Sequence, residues 1–238
     1  MSDARTEQIA AGLRAVRERI DRACAAAGRS PDELTLVVVT KTYPASDVLA
    51  LADLGVRDPG ENRHPEGAQK AAECADAGAA DLRWHFVGAV QSNKAGAIAR
   101  YASWVHSVDR LKLVRALDRG AQQAERVLDC LVQVSLDPPD ATEGRSGAEA
   151  SDVAALAEAV AGAEALRLRG VMAVAPLGAD PAPAFARLRG IAAEVAATHP
   201  GADVISAGMS GDLEQAVEAG ATHLRVGRAI LGERPPNG

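Results

Sequence analysis

The sequence predicts an α/β protein: a single (β/α)8 barrel of the TIM type with one extra helix at its N-terminus. Three observations predict it. Short apolar, β-branched runs alternate with amphipathic helical patterns along the chain, and eight such runs can be counted. The length, 238 residues, is close to the ~250 that one barrel of this kind takes. The whole of 1–238 then reads as one domain, with 1–30 forming the helix packed on it. An open doubly wound sheet is the alternative, because the second strand is faint and seven strands would not close a barrel.

Taken in order, Ile9, Leu13, Val16 and Ile20 fall at helical spacing on one face, and Gly28 is placed to end that helix. Leu34 to Val39 is a buried strand, followed by a helix carrying Val48, Leu49 and Ala52, capped by Ser46 and stopped at Gly55. Further strands are expected around Val56, then over Leu82–Val87, Ser103–Val108, Val127–Ser135, Leu166–Val174, Asp203–Ser206 and Thr222–Val226. Helical patterns fill the gaps at Gly67–Cys74, Asn93–Arg100, Leu111–Gln123, Val153–Ala161, Pro183–Ala197 and Asp212–Ala219. The one long polar connection, Asp137–Gly147, follows the fifth strand on the face where barrel active sites lie; it is a surface loop or a mobile flap.

Composition removes several function classes. Acidic residues outnumber basic ones by 32 to 26, giving a net charge of -6, so no positive field gathers phosphate backbones or anionic lipid. Nucleic acid and membrane are not expected partners. Cys24, Cys74 and Cys130 are too far apart in sequence for a zinc cluster or a disulfide framework, which fits a reducing cytoplasm. Met1 to Ser30 is charged throughout and has no apolar core of a signal peptide. No G-x-G-x-x-G, G-x-x-x-x-G-K, H-E-x-x-H or G-x-S-x-G is present, and the histidines show no metal-ligand spacing, so no metal site is expected.

Lysine is scarce. Of 26 basic residues only Lys41, Lys70, Lys94 and Lys112 are lysine, and Lys41 directly follows the first strand, at the end where barrel loops build their site. An amine that loses hydration there is favoured in its neutral form, which attacks carbonyls to form a Schiff base. A rim lysine paired with a carboxylate is the plainer alternative. Two glycine-flanked turns, Ser206-Ala207-Gly208-Met209-Ser210-Gly211-Asp212 and Arg225-Val226-Gly227-Arg228, follow the seventh and eighth strands. Such turns leave backbone N–H groups free for a phosphate, the usual cradle of this fold, with a helix dipole adding ~0.3 to 1 kcal/mol. Ser210 sits where a helix cap belongs. Trp84, His85 and Phe86 alternate in a strand, so the histidine there reads as a packing residue.

Val39-Thr40-Lys41-Thr42, Gly60-Glu61-Asn62-Arg63, Trp84-His85-Phe86-Val87-Gly88 with Gln91-Ser92-Asn93-Lys94, Leu168-Arg169-Gly170-Val171-Met172, Gly208-Met209-Ser210 and Arg225 to Gly232 resemble, in that order, the motifs of the pyridoxal phosphate homeostasis proteins. The resemblance covers nearly the whole chain. It implies a barrel similar to the N-terminal domain of alanine racemase that binds pyridoxal 5′-phosphate (PLP) as a covalent aldimine at Lys41 and regulates its free level without established turnover. By position it also implies Ser210 with the backbone of Gly227 and Arg228 as the phosphate clamp, Arg225 as partner of the pyridine nitrogen, and Asn62 and Met209 in the pocket. The implied partners are PLP and PLP-dependent apoenzymes, with the chain a cytoplasmic monomer. His64-Pro65-Glu66 and Ala89-Val90 depart from the family pattern at the pocket rim.

Two enzyme classes compete. An amino-acid racemase needs two bases, and in the alanine racemase arrangement the second is a tyrosine from a separate C-terminal domain. This chain has two tyrosines, Tyr43 close to Lys41 and Tyr101 on a helix, and neither obviously reaches the opposite face of the cofactor. A Schiff-base aldolase acting on a phosphorylated sugar would use the same lysine and cradle without a coloured cofactor. A visible spectrum separates it from the PLP readings.

Overall fold

The computed structural model describes residues 3–138 and 146–233. Eight parallel strands close on themselves in chain order: β1 (Thr35–Val39), β2 (Pro59–Glu61), β3 (His85–Phe86), β4 (Trp104–Val108), β5 (Leu128–Gln133), β6 (Leu166–Met172), β7 (Val204–Ser206) and β8 (His223–Val226). The seam is β8 beside β1, in register from Thr35 opposite His223 to Val38 opposite Val226. The helices are α1 (Asp3–Ala27), α2 (Ala45–Asp53), α3 (Glu66–Asp76), α4 (Ala95–Ala99), α5 (Leu111–Gln123), α6 (Val153–Ala161), α7 (Pro181–Thr198), α8 (Leu213–Glu218) and α9 (Arg228–Leu231). Closure rules out the open sheet.

The helix predicted first buries Ile9, Leu13, Val16 and Ile20, and Gly28 ends it with φ +67°. That face packs against α8, α9 and α2. The contact with α9 is close enough to require glycine: a Cβ on Gly12 would lie 2.4 Å from the Ile230 carbonyl oxygen. At the start of α7 the chain reads as the capping rules predict, Asp180 accepting from the Ala182 amide ahead of a first-turn proline.

Some expectations are corrected. The second strand is not around Val56, whose amide folds back on the Leu51 carbonyl, but three residues further on, at Pro59–Glu61. Pro, Gly and Glu are poor strand formers; they are extended because they pair with β1 on one side and β3 on the other. β3 shrinks to His85–Phe86. Ser46 lies inside α2, which starts behind Pro44 without a side-chain cap. Ser210 does not cap α8 either: the cap position is Asp212, whose carboxylate accepts from the Met209 amide at 2.6 Å and so ties the turn rather than the helix. Tyr101 lies just beyond α4 rather than on it. Within Asp137–Gly147, residues 139–145 lie outside the described residues; just past it, Ala148 pairs with Val134.

Most of the apolar core lies between the strands and the helix ring. A separate small cluster, Trp104, Leu131, Met172 and Val204, lies inside the barrel with His85, His106 and His223. β4 pairs with neither β7 nor β8, so contacts of Trp104 and His106 with His223 pass through the interior. Among the described residues no helix is long and apolar enough to cross a membrane.

Candidate functional site

The apolar run of β1 ends at Val39, and Thr42, at φ +69°, turns the chain so that Lys41 stands over the C-terminal mouth of the barrel. A buried network pins that turn. Thr40 Oγ1 donates to Glu61 Oε1 at 2.6 Å. Lys70 Nζ donates to the same oxygen at 2.6 Å and to the Thr40 carbonyl at 2.8 Å, while Glu66 accepts from the Thr42 amide. Burial pushes the Glu61 carboxyl up against the opposing pull of Lys70. Lys70 is thereby committed to holding the loop.

Lys41 lines a cleft of about 250 Å³ with Met209, Ser210, Arg225, Gly227 and Arg228. Six of the seven residues singled out in the sequence therefore meet in one place. The seventh, Asn62, follows β2 and does not line the cleft; its Oδ1 is buried without a partner. The other three lysines are elsewhere: Lys70 is buried in its ion pair, and Lys94 and Lys112 are exposed. A larger hollow, about 390 Å³, opens at the opposite end of the barrel and contains no lysine, so size alone would have chosen the wrong end.

The cleft suits a phosphate on one side. Among the described residues the amides of Ser210, Gly211, Gly227 and Arg228 find no backbone acceptor. Gly227 brings its amide close to β1, where a Cβ would sit 2.8 Å from the Val39 carbonyl oxygen. Because α8 and α9 span only 6 and 4 residues, the individual amides matter more than a macrodipole. From behind, α1 braces the first turn and the end of α9: Arg19 donates to the Ser210 carbonyl at 3.0 Å, and Arg5 to the Leu231 carbonyl at 3.0 Å.

On the other side Arg225 lies buried at the end of β8. Nη1 donates to Ser206 Oγ at 2.7 Å and Nη2 to the Ala173 carbonyl at 2.8 Å. Burial lowers its pKa to about 10, with Asp212 opposing, so the guanidinium stays charged at neutral pH and is a pure donor. Tyr43 also lines the cleft, and its hydroxyl donates to the Gly232 carbonyl at 2.7 Å. Two departures from the family pattern resolve as packing: His64 stacks on Tyr101 with centroids 6.3 Å apart, and Val90 is buried.

Sequence reasoning named Tyr43 only as a neighbour of Lys41 and missed its place in the cleft wall, the brace from α1, and the residues behind Arg225. The signal for the last group was parity. His223 and Arg225, like Trp104 and His106, alternate on their strands and so share the inward face.

Residues 12–235 match the family described as alanine racemase, N-terminal domain. A Pseudomonas aeruginosa protein named pyridoxal phosphate homeostasis protein is 42% identical over 95% of this chain and 96% of its own length. Its Escherichia coli (strain K12) namesake is 37% identical over 95% and 97%. Among solved structures, PipY of Synechococcus elongatus with PLP bound superposes with a TM-score of 0.80 at 34% identity, covering 94% of this chain and 100% of that one. The closed barrel, the lysine over its mouth and the likeness along nearly the full length converge: this chain belongs to the pyridoxal phosphate homeostasis protein family, within the family of alanine racemase N-terminal domains.

Proposed function

We propose that the chain binds PLP in the cleft at the C-terminal mouth, holds it as an imine on Lys41, and buffers it or passes it to PLP-dependent apoenzymes in the cytoplasm. One observation carries this reading: of four lysines, Lys41 alone stands in a cleft that also offers phosphate-competent amides and a buried arginine. The donor set fits the group. Ser210 and the amides of Gly227 and Arg228 receive the phosphate, Arg225 faces the pyridine nitrogen and Met209 packs beside it, while Asn62 lies outside the cleft and is not part of the set. Bound PLP supplies an aldehyde that condenses with an amine, releasing water, and a ring that draws electrons from the carbon attached to that amine.

Sustained turnover is not part of the reading. Arg225 keeps its proton, so the ring nitrogen facing it stays unprotonated and the ring is a weaker electron sink. Tyr43, the tyrosine that would have to serve as a racemase's second base, instead donates its hydroxyl hydrogen bond to the Gly232 carbonyl. The relatives' names point the same way, since they describe homeostasis rather than a reaction.

The test is a visible spectrum of protein mixed with PLP, followed by borohydride reduction and peptide mapping. A visible band and a label on Lys41, lost in Lys41→Ala, are expected. A label on Lys70, Lys94 or Lys112 with Lys41 unmodified refutes the assignment. Repeated racemisation of L-alanine, abolished by Lys41→Ala, refutes the carrier reading.

A further inference from the structure

Behind Arg225 a file of polar side chains runs down the barrel axis to the opposite rim. Ser206 Oγ lies 2.9 Å from His106 Nδ1, His106 Nε2 lies 2.9 Å from His85 Nδ1, and His85 Nε2 lies 3.0 Å from Asp58 Oδ1. Arg83 closes the file, donating to both Asp58 oxygens at 2.8 and 2.6 Å. Asp58 and Arg83 border the hollow at the N-terminal end. Ser206 and His106 are fully buried and His85 is 1% exposed. Ser206, His106 and His85 come from three strands, β7, β4 and β3, and reach the interior because inward residues alternate along a strand, while Asp58 and Arg83 lie just ahead of β2 and β3.

The chemistry of the two ends gives this file a direction. Arginine can only donate, so Ser206 Oγ accepts from Arg225 and directs its own proton to His106 Nδ1. His106 then carries its proton on Nε2 and donates to His85 Nδ1, which in turn leaves the His85 proton on Nε2, pointing at Asp58. Every link is used once. Burial keeps both imidazoles neutral by lowering their pKa values, His106 furthest. Burial also pushes the Asp58 carboxyl up, but the bonds from His85 and Arg83 outweigh it and hold the group ionised. Run backwards, the file would aim two donors, Arg225 and His106, at one serine oxygen and leave His85 Nε2 without a proton opposite the Asp58 carboxylate. Titratable and charged groups on other strands face the same space: His223 on β8, with its ring 6.2 Å from His85, Asp129 on β5 and Arg169 on β6. Among the described residues no other side-chain hydrogen bond breaks into the file.

We infer that Ser206, His106, His85 and Asp58 form a one-way hydrogen-bonded column that positions Arg225, so that the carboxylate at the N-terminal rim fixes what the arginine presents to the cleft at the C-terminal mouth. The column itself stands on the geometry; its effect on a pyridine ring rests on the reading of the cleft proposed above. An apolar filling would pack the same space without the desolvation of four polar groups, which is the reason to look for a positioning role. None of Ser206, His106, His85 and Asp58 lines the cleft, so they act only through Arg225.

The column is tested first in cofactor-free wild-type protein by long-range nitrogen–proton NMR of the imidazoles. Both His85 and His106 should be neutral with the proton on Nε2 at pH 7.5; a proton on Nδ1 of either, or a charged ring, overturns the column. Asp58→Ala should then disturb the His106 signals, two links away, with Asp58→Asn restoring them because the amide oxygen still accepts from His85. Unchanged His106 signals in Asp58→Ala overturn the inference. With PLP present, Ser206→Ala should shift the visible band and weaken binding about tenfold, as loss of one bond to a charged group does, and Ser206→Thr should recover both. A Ser206→Ala protein with unaltered band and affinity overturns the positioning role. The expected tautomers in a protein that takes up no PLP would support the column and overturn the reading of the cleft.

Discussion

Lys41 and Lys70 sit within one loop system yet do opposite things, and the difference is what surrounds each amine. Lys70 is enclosed by Glu61, Glu66 and the Thr40 carbonyl, whereas Lys41 lines a cleft beside backbone amides and Arg225. The cleft's affinity should come mainly from its phosphate side. Hydrogen bonds to a charged group contribute about 1.5 to 3 kcal/mol each. Pyridoxal lacking the phosphate should therefore bind about two to four orders of magnitude more weakly than PLP, and equal affinities by titration would contradict the amide cradle. Much of this site was legible in the sequence, because strand ends and glycine turns locate Lys41, Ser210, Arg225 and Gly227 from local signals. Asn62's position outside the cleft was not, since it depends on how far β2 extends, and neither was Tyr43, which meets Gly232 across 189 residues of chain.

Among the elements, long periodic segments were readable and short ones were not. α5 and α6 occupy the residues that their periodicity marks, Leu111–Gln123 and Val153–Ala161. β2 and β3 are held extended by neighbours rather than by their own side chains, so composition pointed to Val56 instead of Pro59–Glu61. Serines at 46 and 210 looked like caps because a cap is a local rule, yet Pro44 and Asp212 take those places. The α1–α9 contact allows a prediction in which two rules disagree in sign. Helix propensity says that Gly12→Ala stabilises by about 1 kcal/mol. The Ile230 carbonyl 2.4 Å from the new Cβ says that it destabilises, by about 1 to 3 kcal/mol for an overpacked contact. Steric conflict between two backbones should win, and a urea melt showing a raised midpoint would show that α1 can lift off α9 at little cost.

At the scale of the molecule, the barrel interior holds three neutral histidines beside its apolar cluster, and this makes the fold acid-sensitive. Burial lowers the His223 pKa from its usual 6.5 to about 4. Between those values the unfolded chain binds a proton that the folded chain does not, so stability is complete above pH 6.5 and falls as the pH drops towards 4. His223 alone accounts for roughly 3 kcal/mol of that loss, and His85 and His106 shift in the same direction. Urea midpoints should thus fall steeply from pH 7 to 4.5, and His223→Asn should flatten the slope; a flat profile in the unaltered protein would contradict the neutral interior. The closed barrel was legible from eight alternating units, while its polar interior was not, because each histidine looks like ordinary packing until the strands are brought face to face. The grip of α1 on the Ser210 turn and on the end of α9, which follows the Gly227 turn, has one more consequence. A ligand held by those turns stabilises everything they are fastened to, by an amount that grows with the logarithm of its concentration over its dissociation constant. Deuterium uptake by the amides of Gln8 to Glu18 should therefore slow when PLP is added, making a helix that never touches the ligand a gauge of whether the barrel is full.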